Sequence, residues 1–303
     1  LFNHADAWAM PVKNADVQEA SAWAQSLANV AAVIAMEKGV TAPVNGQATP
    51  EAQAIAKSLL GGERKAVLLG NAAAHHANAS SLLSLAKWIA ENTGATYGYL
   101  TEAANTVGAQ WAKAQPQSGG QNAAQMLAGG LKAVLLLNTE PVEDSAAGAK
   151  SVAALAAMQM VVTLSPFKTN MAFSDVLLPI APFTETSGSF VNAEGRLQSF
   201  HAVVKPLAET RPAWKILRVL ANMLGLPQLA FETSQDVLKQ ITASPLNLSN
   251  DCSSEVRLAG VVDTPCVASI YQLDSLVRRA PSLQLTADAR NAAASSVAEG
   301  VHA

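Results

Sequence analysis

From Ala66 onward, short runs of consecutive apolar residues alternate with stretches whose apolar positions recur every three or four residues. The runs are Ala66–Leu69, Thr96–Leu100, Ala133–Leu137 and Met160–Leu164; the periodic stretches lie near Asn78–Glu91, Gln121–Leu127 and Ser145–Met158. Unbroken Val/Leu runs suit strands covered on both faces, where no side chain meets water. Strands spaced by amphipathic helices therefore predict an α/β fold, a doubly wound, Rossmann-like parallel sheet.

Two helices are predicted ahead of it. Asp16–Lys38 is rich in helix formers and is followed by Gly39, which can take the left-handed conformation that ends a helix. After the Pro/Gly connector Thr41–Gln47, Thr49-Pro50-Glu51 supplies an N-cap, a first-turn proline and a dipole-compatible acid for a helix ending at Gly61-Gly62.

Downstream, Val176–Ile180 reads as a short buried strand closed by Pro179 and Pro182, which cannot donate to a ladder. A polar turn, Thr184–Ser187, precedes an added β-hairpin, with strands Ser189–Val191 and Arg196–Val204 joined by Asn192–Gly195. Leu217, Leu220, Ala221 and Leu224 make Pro212–Leu224 a core-facing helix. Beyond Glu232 the periodicity fades, and the small, polar run Ala287–Ala303 is expected to be loosely ordered.

Composition narrows the function. Half of the 303 residues are hydrophobic and 14% are charged, against about 25% in an ordinary soluble domain. Either partners cover part of the surface, or alanine richness alone lowers the charge density. A net charge of −3 without a Lys/Arg cluster argues against nucleic acid, whose phosphates call for a concentrated basic face. The most apolar windows, Leu27–Met36 and Ala133–Leu137, fall short of a membrane span, so the chain is expected to be soluble. Leu1, Asn3, His4 and Asp6 offer neither an initiator methionine nor a secretion signal, and the chain reads as cut from a longer one. Cys252 and Cys266 are too few and too far apart for an iron–sulfur cluster and read as two reduced, unpaired thiols.

Asp175–Pro179, Glu185, Gly188-Ser189-Phe190, Asn192, Glu194-Gly195-Arg196 and Gln198 together resemble an element of the prokaryotic molybdopterin oxidoreductases. The variant Ala181–Gly188 is most similar to the large iron–sulfur G subunit of proton-pumping NADH:quinone oxidoreductase, respiratory complex I. Gly70–Ala73, Tyr271–Asp274 and Leu276–Arg279 extend the likeness over most of the chain. The resemblance implies a division into a helical segment, 1–62, belonging to a truncated upstream domain, and a nucleotide-fold domain, 63–170. Residues 171–230 would complete the body with strand, elbow, hairpin and helix, and 231–303 would form an irregular extension.

Parallel sheets place ligands outside the carboxyl ends of their strands, which selects Gly70-Asn71, Asn138-Thr139-Glu140-Pro141 and Ser165–Asn170, including Lys168 and Thr169. In molybdoenzymes, comparable loops hold part of a pterin guanine dinucleotide. Gly70–His75 lacks the further glycines that close pyrophosphate approach needs, and Glu140 sets an acid where a phosphate contact would lie. Glu185, Asn192, Glu194 and Arg196 could line the cleft, but turn chemistry and an Arg196 pair, either across its strand or with Glu185, explain them more simply. His75-His76, without a nearby carboxylate or thiol in sequence, reads as a solvent-facing pair rather than a metal site. Ser187-Gly188-Ser189 lacks the pattern of a hydrolase nucleophile elbow.

The resemblance thus implies a non-catalytic scaffold, with no cofactor or metal in this stretch and with the 4Fe-4S and 2Fe-2S clusters elsewhere in the parent chain. Its partners would be the other subunits of the complex's peripheral arm, on the cytoplasmic face of the plasma membrane without direct insertion. The alternative is a catalytic, formate-dehydrogenase-like domain that binds the pterin dinucleotide. A generic nucleotide-binding domain like those of thiamine-diphosphate enzymes rests on the strand–helix alternation alone.

Overall fold

Gly39 adopts the left-handed conformation (φ 66°) that ends the first helix, as its place after the helix formers predicts. The computed structural model describes residues 11–226, 229–247, 255–258, 265 and 267–298. The chain divides into two compact units, residues 1–103 with 248–267 and residues 104–247 with 268–303.

In the first unit, helix α1 (Trp23–Lys38) follows a 3-10 turn at Ala20–Ala22. It starts later than the expected Asp16, whose carboxylate accepts a hydrogen bond from Gln18 Nε2 at 2.8 Å, a local bond that competes with helix. Helix α2 (Pro50–Gly61) has the predicted cap, with Thr49 Oγ1 accepting from the Ala52 amide at 3.2 Å. Strand β1 (Ala66–Leu69), the short helix α3 (Asn71–Ala74), helix α4 (Ala79–Thr93) and strand β2 (Thr96–Tyr99) follow. β1 and β2 pair in parallel, Ala66 opposite Thr96 and Leu69 opposite Tyr99. The core lies where α1, α2 and α4 meet, with Ile34, Leu82, Leu85 and Ile89 almost free of solvent. Burial on this scale, about 1.5–3 kcal/mol for each large aliphatic side chain, holds the helices on the sheet.

The second unit opens with α5 (Thr106–Trp111) and α6 (Ala123–Leu127), the latter started by a reciprocal cap between Asn122 and Gln125. Strand β3 (Ala133–Leu137), helices α7 (Pro141–Asp144) and α8 (Lys150–Ala156), and strands β4 (Met160–Ser165) and β5 (Val176–Pro179) come next. The three strands form a parallel sheet in the order β3-β4-β5. Leu136, Leu155 and Val161 form the core on one face, and Leu135, Leu137 and Val176 remain exposed. The fold is α/β with parallel sheets and flanking helices. β1 and β2 hydrogen-bond as a parallel pair in the first unit, and β3, β4 and β5 as a parallel triple in the second.

Strands β6 (Gly188–Val191) and β7 (Leu197–Phe200) make the expected antiparallel hairpin, and Gly195 takes the positive φ (81°) of its loop. β7 is shorter than the expected Arg196–Val204, because the Val203 and Val204 amides turn to donate to the Thr184 carbonyl. Helix α9 (Ala213–Met223) has only Ala221 buried, and Leu224, expected in the core, is 67% exposed. The stretch after Glu232 is more regular than its sequence suggests. Thr233 and Asp236 cap helix α10 (Ser234–Thr242), while α11 (Ile270–Leu273), α12 (Pro281–Gln284) and α13 (Ala287–Ala298) follow. The loosely ordered tail expected from Ala287 is thus helical to Ala298; residues 299–303, Cys252 and Cys266 lie outside the described residues.

Candidate functional site

At the carboxyl end of β3 the chain leaves the sheet through Asn138, a non-glycine residue at φ 49°, whose amide donates to Leu164 O at 2.8 Å. Asparagine tolerates this left-handed conformation better than most residues. The turn carries Thr139 and Glu140 into α7, where the Glu140 amide donates to Asp144 Oδ2 at 2.7 Å. At the end of β4, Ser165 Oγ accepts from the Phe167 amide at 3.0 Å, turning the chain into Lys168, Thr169 and Asn170. Buried Asn170 ties the two loops together, its Nδ2 donating to Thr139 O at 2.9 Å. Asn138–Glu140 and Ser165–Asn170 therefore form one edge, as their places after β3 and β4 imply.

A third segment closes that edge. Arg278 Nη2 lies 2.6 Å from Glu140 Oε2, and Arg279 Nη2 lies 2.5 Å from Glu140 Oε1, so each carboxylate oxygen has its own guanidinium. Arg278 Nη1 reaches Asp144 Oδ1 at 2.8 Å, and Arg279 Nη2 also donates to Thr169 Oγ1 at 2.6 Å. The Arg279 guanidinium sits 4.0 Å over the Phe167 ring, a cation–π contact. Arg278 further donates to the Gln272 and Leu273 carbonyls, and Arg279 Nη1 to Ser275 O. Glu140 is 4% exposed and Arg278 11%. Burial by itself would lower the Arg278 pKa; hydrogen bonds and charge from Asp144 and Glu140 outweigh it and raise the value. This guanidinium stays charged.

The other expected site residues are placed apart. Gly70 and Asn71 belong to the first unit, where Gly70 precedes the four-residue α3. They line an open cavity of about 790 Å³ whose walls are mainly apolar, Trp23, Leu27, Ile55 and Leu69 among them. Glu185 does not pair with Arg196; its Oε2 accepts from the Leu207 amide at 3.0 Å. Arg196 is exposed and has no ion-pair partner among the described residues. Asn192 Oδ1 accepts from the Glu194 and Arg196 amides at 3.1 and 2.9 Å, which makes it the fastener of the hairpin loop.

The two adjacent histidines separate. His75 is a surface residue 3.2 Å from Glu102. His76, expected in solvent, is buried and stacked on Trp23 at 5.5 Å. Its Nδ1 accepts from the Asn78 amide, so Nε2 carries the proton and donates to Ala20 O at 2.9 Å. No group of His, Cys, Asp and Glu among the described residues could hold a metal ion. No described helix is long and apolar enough to cross a membrane.

A molybdopterin oxidoreductase family model matches residues 21–223, two thirds of the chain. The chain belongs to the molybdopterin oxidoreductase family. It is 42% identical over 74 residues to a Staphylococcus aureus (strain bovine RF122 / ET3-1) protein named "Putative formate dehydrogenase", covering 24% of this chain and 8% of that protein. It is 40% identical over 68 residues to "Probable oxidoreductase YjgC" of Bacillus subtilis (strain 168), covering 22% and 7%. The chain therefore aligns with less than a tenth of either relative's length.

At Glu140 the β3–β4 edge does not fit the anionic end of a pterin dinucleotide. A phosphate there would meet the Glu140 carboxylate, the Glu140 amide is committed to Asp144, and Arg278 and Arg279 are already paired, while Lys168 of the same edge is exposed and has no ion pair among the described residues.

The role of Arg278 and Arg279 was missed in the sequence. They lie more than a hundred residues from Glu140, and the only signal was their presence in the resembling segment Tyr271–Arg279.

Proposed function

We propose that this chain is part of a non-catalytic supporting body of the molybdopterin oxidoreductase type, within the G subunit of an NADH:quinone oxidoreductase. The observation that carries the reading is the Glu140–Arg278–Arg279 cluster, which fills with internal ion pairs the edge a cofactor's phosphates would require. The resemblance of Ala181–Gly188 supports the particular complex. On this reading, electrons pass from NADH to quinone through iron–sulfur clusters elsewhere in the parent polypeptide. Partner subunits hold the body on the cytoplasmic side of the membrane.

A second reading, a formate-dehydrogenase-like catalytic domain, is supported by the names of the relatives and fits the comparisons better than the complex I assignment does. Metal and pterin analysis of the purified parent protein separates the two. The supporting body predicts neither molybdenum, tungsten nor pterin, and co-purification with other subunits of a NADH-oxidising complex. Stoichiometric metal and pterin, with formate oxidation, would establish the second reading instead.

A further inference from the structure

Arg278, Arg279, Thr169 and Phe167 together have the makings of an oxyanion site. Two guanidinium groups converge from one short segment, a hydroxyl stands 2.6 Å from Arg279 Nη2, and an aromatic face backs the same guanidinium at 4.0 Å. The residue between them is Glu140, one oxygen to each arginine. We propose that this is a carboxylate-binding site occupied by the protein's own Glu140 side chain. Segment Ile270–Arg279 is then a strap that delivers the cations and shuts the β3–β4 edge against outside anions. The inference rests on the reading of this body as free of pterin.

Charge bookkeeping gives the site a specific ligand class. Arg278 and Arg279 face Glu140 and Asp144, two charges of each sign, with Glu140 the more deeply buried carboxylate. Truncating Glu140 to alanine leaves one uncompensated positive charge and a space of carboxylate size. Both are costly in a buried site, and both are relieved by a small monovalent oxyanion. Arg278 Nε, buried without a partner, adds a donor to the same side chain.

The test compares E140A, E140Q and the wild type of the intact protein by thermal unfolding in about 100 mM chloride, acetate or pyrophosphate. Acetate should stabilise E140A by roughly a tenfold shift in its unfolding equilibrium once its concentration exceeds the dissociation constant about tenfold. E140Q, whose amide fills the space, and the wild type should shift less than twofold in either anion. The double variant E140A/R279M, with the surplus charge removed, should lose the acetate response. The proposal is overturned if acetate moves E140A no more than E140Q. It also fails if E140A stays aggregated in acetate, or if pyrophosphate stabilises the wild type as acetate stabilises E140A. A wild type found to contain pterin would sink the supporting-body reading, whereas a pterin-free wild type with no rescue of E140A sinks only this one.

Discussion

Glu140 and Arg278 stand 138 positions apart in the chain and 2.6 Å apart in space, and both are largely withdrawn from water. A buried cluster of this kind adds modest net stability, but removing Arg278 leaves Asp144 without its cation and Glu140 with Arg279 alone, one uncompensated negative charge that costs up to about 3–5 kcal/mol. R278M should therefore lower the urea midpoint by that equivalent. R257A, which removes an exposed pair with Glu255, should change stability by less than about 0.5 kcal/mol. Equal effects of the two variants would show that the Glu140 cluster is not buried in solution.

Gly188 is required by the ring across the hairpin. A Cβ there would lie 2.7 Å from Phe200 Cζ, and that ring is held edge-on to Phe190 at 5.2 Å. G188A should cost no more than about 1 kcal/mol, since the half-buried ring can be displaced toward solvent. Combined with F200L, which vacates the contact, it should cost less than the sum of the two single changes. Additive behaviour in equilibrium denaturation would exclude the clash.

These two relationships mark what the sequence could and could not reveal. Strands β1 and β3 coincide with their apolar runs, although each buries a single side chain, Leu69 and Leu136, rather than the whole run that the sequence suggests, and Gly39 and Thr49 announced helix ends by local chemistry alone. His76 and Leu224 went the other way. The first is buried because Ala20 O and the Asn78 amide happen to satisfy both ring nitrogens, the second exposed although its spacing matched a core stripe. At the candidate site the loops after β3 and β4 were legible as strand ends. The strap was not, since a pair of arginines in a short helical turn carries no periodic signal and finds its partner only through the tertiary fold. Helix α10 is less legible for a simpler reason: its Thr233–Asp236 cap opens a stretch without sustained periodicity.

Gly46 marks a second close approach, of the Pro/Gly connector to helix α1. A Cβ at this position would sit 2.3 Å from Ala28 O and 2.7 Å from Ala28 C, both backbone atoms that cannot rotate away. The adjacent Gln47 amide donates to Asn29 Oδ1 at 2.8 Å, so displacing the connector also breaks that bond. G46A should destabilise by about 2–4 kcal/mol, combining overpacking with a lost hydrogen bond. G61A, at a position with open space around its missing Cβ, should be near neutral. Comparable melting curves for the two would remove the close approach.

Acid should loosen helix α10 in a definite window. The Asp236 carboxylate accepts from the Thr233 and Glu232 amides, at 2.8 and 3.1 Å. The Thr233 backbone bond, then its side-chain bond, hold its pKa below the usual 3.8. A depressed folded-state pKa means that the capping contribution is complete above the unfolded value and is lost as pH falls from about 3.8 through the lower folded value. Protection of the Glu232 and Thr233 amides, measured relative to the intrinsic exchange rate at each pH, should fall over that range in the wild type. D236A, which lacks their acceptor, should show low protection at both amides at every pH, and a wild type with no pH response there would contradict the cap.

Asp175, the first residue of the segment that gave the resemblance, fastens strands rather than performing chemistry. Its Oδ2 accepts from the Val161 amide at 2.7 Å, and its own amide donates to Val161 O at 2.9 Å, so one residue pins the entry of β5 to the start of β4. Val161 is a member of the buried core, and its amide loses its side-chain acceptor once the carboxylate is gone. D175A should leave that donor unpaired, at about 1–3 kcal/mol. D175N, which keeps an acceptor oxygen in reach, should cost no more than about 1 kcal/mol. Hydrogen exchange at Val161 is the direct readout, fast in D175A and slow in both D175N and the wild type. Should D175A match the wild type in exchange and in denaturation midpoint, the strand register would not depend on this carboxylate.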